Sequence, residues 1–174
     1  MKIKTINPEV YQAEGEILRF TQDDIEFIKA RALENPRGRA RICFHPSGED
    51  RMHEMLVALR KDVWIRPHFH PGNVESFYCV DGEMRVFLFK EDGSLWDHID
   101  MGRPGSGRSA YYRQTIPIFH SLAILTDVAV FQEVTNGPFQ RGNTVLAPWA
   151  PEEGPDGKLK DYILDLTART SAKK

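Results

Sequence analysis

The pattern of apolar and polar positions changes once along the chain, near residue 39. Before that point, residues 21–34 begin with Thr21, a good N-cap, and carry acidic residues in the first turn. Their apolar positions repeat at helical spacing, at Ile25, Ile28, Ala32 and Leu33. This pattern predicts one short helix that ends near Asn35 and Pro36, because a residue that precedes proline disfavours helical backbone.

After residue 39 the apolar residues alternate instead of repeating every three or four positions. The segments are short, and turn signals rich in Gly, Pro and Asp separate them. They predict nine strands, at residues 40–44, 54–59, 63–68, 76–80, 85–90, 95–101, 109–113, 120–125 and 129–134. So many short strands in about a hundred residues favour a mainly β fold, a double-sheet jelly-roll barrel with a short N-terminal helix.

The length of 174 residues suits one domain with a substantial apolar core. We expect residues 1–36 to form a strand and helix extension packed on the barrel, residues 37–150 to form the barrel, and residues 151–174 to form a C-terminal tail with a short helix or strand. The glycine-rich residues 102–107 are too polar for a strand and predict a loop that could cover a barrel mouth.

Charge and composition exclude several classes of function. A formal net charge of −2 gives no positive field for nucleic acid or an anionic membrane. No segment is apolar for long enough to span a bilayer, and the first residues lack the apolar core of a signal peptide, so we expect a cytoplasmic protein with a small-molecule partner. Cys43 and Cys79 lie in separate apolar segments and are expected to be buried thiols rather than a disulfide or a zinc site.

The segment from His68 to Glu75 carries the strongest chemical signal. Residues two apart on a strand project to one face, so His68 and His70 can direct their imidazoles to one point. A turn at Pro71 and Gly72 would then reverse the chain and return the Glu75 carboxylate to that point, so that one hairpin supplies three ligands. Gly82 follows at a predicted hairpin turn, where a positive φ favours glycine.

His120 is the candidate for a fourth ligand because it opens the apolar segment that continues through Leu122 and Ile124 on the same face. Three imidazoles and one carboxylate suit one divalent ion of Fe, Mn, Zn, Ni or Co, with one or two positions left for water or substrate. The alternative for His120 is a core histidine whose ring donates to a backbone carbonyl.

The spacing of His68, His70, Glu75 and Gly82 resembles the first motif of the cupin superfamily, and His120 would be the histidine of its second motif. The glycine that usually precedes the first histidine is Asp62 here, and the residues that flank the second motif are absent. Further residues resemble the WbuC family of cupin-fold metalloproteins: Ala40-Arg41, His45-Pro46, Arg66-Pro67, Glu133, Gly137-Pro138 and residues 147–153. The resemblance implies a cupin-type double-stranded β-helix that holds a metal, often associated with surface-polysaccharide biosynthesis.

Three further residues are candidates for substrate binding. Arg66 shares parity with His68, and Arg41 lies on an earlier strand, so both could face the barrel interior and bind an anionic group, or pair with an internal acid such as Glu133. His45 follows a strand and could act as an acid or base in the pocket, or cap its loop. His53 and His98 stand among charged residues and are expected to be solvated.

These residues leave several functions open. The first is a metal-dependent enzyme, a dioxygenase or an isomerase/epimerase, that acts on a small polar or anionic, sugar-related substrate. The alternatives are a non-catalytic module that binds a metal or a small ligand, and a metal-independent sugar isomerase or epimerase whose histidines act as bases. A homodimer is expected, since barrels of this kind associate through exposed sheet faces or terminal strands.

Overall fold

The computed structural model describes residues 1–138 and 141–172. Within these residues there are two α-helices, α1 (Gln22–Glu34) and α2 (Lys158–Ser171), and twelve strands. The strands are β1 (Lys2–Asn7), β2 (Val10–Glu14), β3 (Arg39–Cys43), β4 (Met52–Arg60), β5 (His68–Phe69), β6 (Glu75–Asp81), β7 (Glu83–Phe89), β8 (Leu95–Gly102), β9 (Tyr111–Gln114), β10 (Phe119–Ile124), β11 (Val128–Asn136) and β12 (Val145–Leu146).

The strands form two sheets. The larger has the order β1-β2-β3-β4-β11-β6-β9 and the smaller the order β12-β5-β10-β7-β8. Strand pairs are antiparallel except for β2 with β3. From β4 onward the chain passes repeatedly from one sheet to the other, which is the winding of a double-stranded β-helix. The predicted mainly β, cupin-type jelly roll is confirmed.

The two sheets enclose the central core between their facing sides. This core takes alternate residues from strands of both sheets, including Phe77, Met84, Val86, Leu122 and Phe131. Because inward and outward residues alternate along a strand, the same strands also present apolar residues to the outside. Those outer faces need a cover, and the two helices supply it.

Each helix covers one sheet. Ile25, Ile28 and Ala32 of α1 pack on the larger sheet, and Leu159, Ile163 and Leu166 of α2 pack on the smaller one. Strand β10 is therefore buried on both faces, and all of its residues are buried. This explains why both faces of the strand carry apolar residues, whereas a strand with one solvated face would alternate apolar and polar residues.

The buried Arg85 joins α2 to the smaller sheet. The residue is 3% exposed, and Nη2 donates to Asp100 Oδ2 at 3.0 Å. Nη1 donates to Thr170 Oγ1 at 2.6 Å and to the Thr167 carbonyl at 3.1 Å, both in the last turn of α2. A buried cation at this end of the helix pairs with the negative end of the helix dipole.

The predicted C-terminal tail contains a 14-residue helix that packs on the barrel. Residues 173–174 of that tail lie outside the described residues.

Helix α1 forms where the sequence predicted it, with Thr21 as N-cap and Asn35 as C-cap. Two buried thiols were also expected, and Cys43 and Cys79 are free and buried. The division into residues 1–36, 37–150 and 151–174 stays a prediction. None of the helices in the described part of the chain is long and apolar enough to cross a membrane.

Several strand predictions were incomplete or wrong. Strands β1, β2 and β12 were not among the nine predicted strands, and the strand predicted at residues 63–68 is reduced to His68–Phe69. Pro67 has no N–H for a strand ladder. Val63 and Ile65 nevertheless pack in the central core, while Trp64 packs on the side covered by α2. The side chains of this segment therefore alternate between the two sides, as in a strand, although its backbone does not pair.

Candidate metal centre

Three histidines meet inside the barrel at one end of the smaller sheet. His68 on β5 and His120 on β10 are direct partners in the antiparallel register, with 4.5 Å between ring centroids. His70 follows β5, and its ring centroid lies 5.0 Å from that of His68 and 5.9 Å from that of His120. One potential ligand atom from each of the three rings lies within 4.8 Å of the others.

Backbone carbonyls fix the tautomer of two of these rings. The Nδ1 atom of His68 lies 2.8 Å from the Arg66 carbonyl, and that of His120 lies 3.2 Å from the Ile118 carbonyl. The Nδ1 atom of His70 lies 3.4 Å from the carbonyl oxygen of Asn143. Because a carbonyl only accepts, the Nδ1 atoms of His68 and His120 carry the proton and their Nε2 atoms keep the lone pair, which is the arrangement of a metal-binding histidine. The Nδ1 atom of His70 also lies 3.3 Å from the Thr144 hydroxyl, which can donate or accept.

Burial also keeps two of these rings neutral. It lowers the pKa of His68 to about 3, helped by the neighbouring His120, and lowers the pKa of His120 to about 4. A neutral imidazole can offer its lone pair to a metal, whereas an imidazolium cannot. The donor form of both side chains is therefore present at neutral pH.

Glu75 begins β6 and brings a carboxylate from the larger sheet to the same point. It is 5% exposed, and its Oε2 atom lies 3.1 Å from His120 Nε2. Among the described residues Oε2 has no hydrogen-bond partner. When Glu75 is ionised, an unprotonated Nε2 faces a buried carboxylate oxygen, so two acceptors stand together without a donor. A cation would satisfy both, and the residues present fit a divalent metal ion.

The route of the chain through this site differs from the predicted hairpin. β5 belongs to the smaller sheet and β6 to the larger one. Residues 71–74 carry the chain across the barrel between the sheets, so Glu75 approaches the histidines from the opposite wall. The expectation that one hairpin supplies three ligands was wrong, although the four predicted ligands do come together.

A second carboxyl lies beside Glu75, from Glu133 on β11. The side chains of Glu133 and Glu75 are hydrogen-bonded to each other, and burial followed by the charge of Glu75 raises the pKa of Glu133 to about 8. Burial likewise raises the pKa of Glu75 to about 7. Two buried carboxyls in contact share protons because burial and mutual repulsion oppose full ionisation. Glu133 was expected to be an internal acid and a possible partner for arginine, and its parity with the inward-facing Ala129 and Phe131 agrees with the internal position. Its contact with Glu75 was not predicted.

The metal centre borders two cavities. The larger, of about 890 Å³, is lined by all four predicted ligands and by apolar side chains such as Leu59, Phe77 and Phe131. The smaller, of about 410 Å³, contains His45 in its wall. Arg41, His70, Glu75 and Glu133 line both cavities, so the candidate metal centre lies where the two spaces adjoin.

The candidate substrate residues fall in different places. Arg41 is exposed and lines both cavities, and His45 lines the smaller one. Across the described residues, Arg66 lines neither cavity. Its Nη2 donates to the Ala147 carbonyl at 3.0 Å, and Nη1 lies 3.6 Å from Glu152. The strand parity that placed Arg66 beside His68 fails because residues 63–67 do not form a strand.

Two other expectations concerned surface features. His53 was expected to be solvated, but it is 5% exposed and stacks on His45 with 4.1 Å between ring centroids.

Residues 102–107 were considered as a cover for the barrel mouth. Ser106 and Gly107 instead border a shallow depression beside Glu83 and Asp100, away from the metal centre.

Comparisons with known proteins agree with the fold and leave the function open. Residues 20–101 match a domain family described as a domain of unknown function, DUF6016. No curated protein matches the chain. Protein SO0799 from Shewanella oneidensis has a similar structure, with a TM-score of 0.52 and 13% identity over 74% of this chain and 85% of that one. At this identity the likeness concerns the fold alone.

Two further solved structures are similar over a smaller part. CapF, solved with the inhibitor 3-isopropenyl-tropolone, gives a TM-score of 0.49 and 16% identity over 61% of this chain and 30% of that one. A mutant of Bacillus subtilis oxalate decarboxylase OxdC gives a TM-score of 0.46 and 21% identity over 56% of this chain. The match spans only 24% of the decarboxylase chain.

Proposed function

We propose that the chain is a metalloprotein that binds one divalent ion through the Nε2 atoms of His68, His70 and His120 and the carboxylate of Glu75. The observation that carries this proposal is the meeting of His120 Nε2 with Glu75 Oε2 at 3.1 Å, without a donor between them. Three nitrogens and one oxygen suit Fe, Mn, Zn or Ni. Four protein ligands also leave one or two positions for water or substrate.

We further propose that this centre is catalytic. The bound ion would act as a Lewis acid or lower the pKa of a bound water. The apolar walls at Leu59, Phe77 and Phe131 limit water in the larger cavity, and Arg41 at the junction of the cavities can hold an anionic group. These features support a small polar or anionic substrate and a reaction such as dioxygenation, isomerisation or epimerisation.

The resemblance to the WbuC family supports a sugar-related substrate, in surface-polysaccharide biosynthesis. One stretch of that resemblance, residues 147–153, lies beside the metal centre's own strands: the amide of Ala147 donates to the Pro67 carbonyl at 2.8 Å, next to His68. Trp149 packs on Phe89 and Phe119, with 5.1 and 5.6 Å between ring centroids. This stretch therefore supports the strands that carry His68 and His120.

The first test is the metal content of the purified protein, measured by elemental analysis after dialysis. We expect about one divalent ion per chain in the wild type and in His98→Ala, a histidine outside the site, and almost none in His68→Ala and Glu75→Ala. Folded wild type that stays metal-free after reconstitution would reject the proposal. A metal-independent sugar isomerase or epimerase would then be the better account.

A second measurement separates an enzyme from a non-catalytic metal module. With Mn²⁺ in the site, water bound in an open position enhances the relaxation of solvent protons. We expect this enhancement in the wild type, since four protein ligands leave an octahedral ion incomplete. A fully coordinated ion with no exchanging water would support the non-catalytic module.

We also propose that two copies of the chain associate. Strand β1 lies at the edge of the larger sheet, and such an edge offers unpaired backbone groups to another strand. Light scattering on the eluting protein should give twice the 19.9 kDa mass of one chain. A mass of one chain across the micromolar range would reject the dimer.

A further inference from the structure

The smaller cavity combines apolar walls with a set of polar groups. Its volume is about 410 Å³, and imidazole, amide and hydroxyl groups from several separate segments line it, among them His45, Asn136 and Thr135. The larger cavity has aliphatic and aromatic side chains near the metal ligands, and charged residues such as Glu9, Arg37 and Arg39 also line it. Polar groups of an occupant can therefore find partners in the smaller cavity.

Much of this polar wall is already fixed by internal hydrogen bonds. Asn136 Oδ1 accepts from the amide of Val74 at 2.7 Å, and its Nδ2 donates to Asn73 Oδ1 at 3.2 Å. Gln12 Nε2 donates to the carbonyls of Cys43 and His45 at 3.0 and 2.9 Å. These bonds hold the wall in place, so the groups that can bind an occupant are those whose capacity is still unused.

His45 offers a free acceptor. Its Nδ1 lies 3.1 Å from the Glu54 carbonyl, so Nδ1 carries the proton and Nε2 keeps its lone pair. The ring stacks on His53 at an interplanar angle of 2°, and His53 Nε2 donates to the Gly48 carbonyl at 3.2 Å. The paired rings hold each other in orientation. Burial lowers the pKa of His45, which keeps the ring neutral.

Thr135 offers a hydroxyl that can both donate and accept. Its Oγ1 atom is buried, and throughout residues 1–138 and 141–172 it meets no hydrogen-bond partner. A buried hydroxyl without a partner costs free energy unless a ligand or water supplies one. Thr135 lies on β11, two residues after Glu133, so it continues the inward face that reaches the metal centre.

Arg41 adds a positive charge where the two cavities adjoin. It lines both of them, together with the metal ligands His70 and Glu75. A guanidinium recognises carboxylate groups through paired hydrogen bonds. A molecule held there by a carboxylate would extend its remaining groups into the smaller cavity or toward the metal centre.

We propose that the smaller cavity is the binding site for the hydroxyl-bearing part of a polyhydroxylated carboxylate, with one hydroxyl donating to His45 Nε2, another paired with Thr135 Oγ1, and the carboxylate facing Arg41. The inference deepens the proposed function and rests on it, because it assigns the substrate class of the same site. It also explains why the wall of this cavity keeps an acceptor and a hydroxyl available.

The test compares two carboxylates with a six-membered ring: glucuronate, which carries hydroxyls and a ring oxygen, and cyclohexanecarboxylate, which carries neither. Isothermal titration of the metal-loaded protein should show glucuronate binding at least roughly tenfold more tightly, from two additional hydrogen bonds. His45→Asn keeps a donor for the Glu54 carbonyl but lacks the Nε2 acceptor, and Thr135→Val keeps the shape but lacks the hydroxyl. Each variant should weaken glucuronate by roughly fivefold and leave cyclohexanecarboxylate unchanged.

Matched controls are His98→Asn and Thr115→Val, whose wild-type side chains do not line either cavity among the described residues, and both should bind glucuronate as the wild type does. Three results would each overturn the inference: equal affinities for the two carboxylates, no binding of either at millimolar concentration, or unchanged glucuronate affinity in both site variants.

The same titrations on metal-free protein separate the two proposals. Hydroxyl discrimination in a protein that never takes up metal would reject the metal centre and keep this cavity as a binding site.

Discussion

His68 and His120 stand directly opposite each other across the antiparallel strands β5 and β10, with 4.5 Å between their ring centroids. The register places the two rings on one face of the smaller sheet, and the carbonyls two residues before each ring hold its Nδ1 proton. The distance between two potential metal ligands is therefore set by strand pairing. A rigid sheet fixes such a site more closely than a loop does.

The first prediction concerns stabilisation by metal. A ligand that binds only the folded state stabilises it by about 4 kcal/mol at a free concentration one thousand times Kd. For a domain of this size that corresponds to a rise in Tm of roughly 8–16 °C. We expect this rise on adding the physiological metal to chelated wild type, measured by thermal denaturation, and its loss in His120→Ala.

His98→Ala is the control for this experiment, because it removes a histidine from β8 and leaves the site intact. It should keep the full rise in Tm. An equal rise in His120→Ala and in the wild type would mean that the ion binds elsewhere, and the metal centre described here would be wrong.

The sequence predicted the fold and most of the site for a physical reason. Helix α1 and the central strands carry local signals, namely periodicity, caps and turn residues, that do not depend on the rest of the chain. Strand geometry predicts that His68 and His70 project to the same face. Glu75 begins the next long strand. That these side chains and His120 come together in space could be predicted from motif spacing, although the crossing between sheets could not.

The features that were missed depend on tertiary contacts. Arg66 donates to the carbonyl of Ala147, which is distant in sequence. No local sequence pattern predicts that contact. His53 has charged neighbours in sequence, but its burial comes from stacking on His45. Glu133 stands on an inward-facing position, yet only the packing of β11 beside β6 brings its carboxyl to Glu75.

The second prediction concerns the buried Arg85. Replacing it by Met removes the hydrogen bonds to Thr167 and Thr170 at the end of α2 and leaves Asp100 with fewer cationic neighbours. Removing one partner of a buried ion pair costs about 3–5 kcal/mol, and Arg108, 3.0 Å from Asp100, offsets part of this. We expect a loss near the lower end of that range in urea unfolding.

Arg169→Met is the matched control. Arg169 is exposed and pairs with Asp165 one turn away on α2, so its loss should change stability by less than about 0.5 kcal/mol. If the two substitutions cost the same, Arg85 does not anchor α2, and the hydrogen bonds to the helix end contribute little.

The third prediction is a pH dependence at the start of α1. Burial raises the pKa of Asp24, but hydrogen bonds from Thr21 and the charge of the Met1 amino group outweigh it, so the pKa lies below its ordinary value. A lowered pKa in the folded state stabilises the fold above the unfolded pKa of about 3.9. This contribution is lost as the pH falls through the folded pKa.

Asp24→Asn should therefore cost about 0.5–2 kcal/mol at pH 7, the usual range for a lost helix cap. The difference from the wild type should shrink as the pH falls below about 4. Urea unfolding between pH 7 and pH 3 measures both. A difference that stays constant over this range would show that the charge of Asp24 is not what stabilises the helix start.

The last prediction separates backbone strain from steric conflict at the turn between β6 and β7. Gly82 has a φ of 73°, and a Cβ there would lie 2.4 Å from the Val128 carbonyl oxygen of the neighbouring strand. Gly105 has a φ of 86°, but a Cβ there would meet nothing within 4 Å. Both substitutions by Ala incur the cost of about 1–2 kcal/mol for left-handed backbone, and only Gly82→Ala adds a clash, which costs about 1–3 kcal/mol in packed regions. Urea unfolding should therefore show Gly82→Ala to be the less stable variant, because the clash forces β11 away from the turn. Equal losses would mean that the turn adjusts freely, and Gly82 would then be required only for its φ.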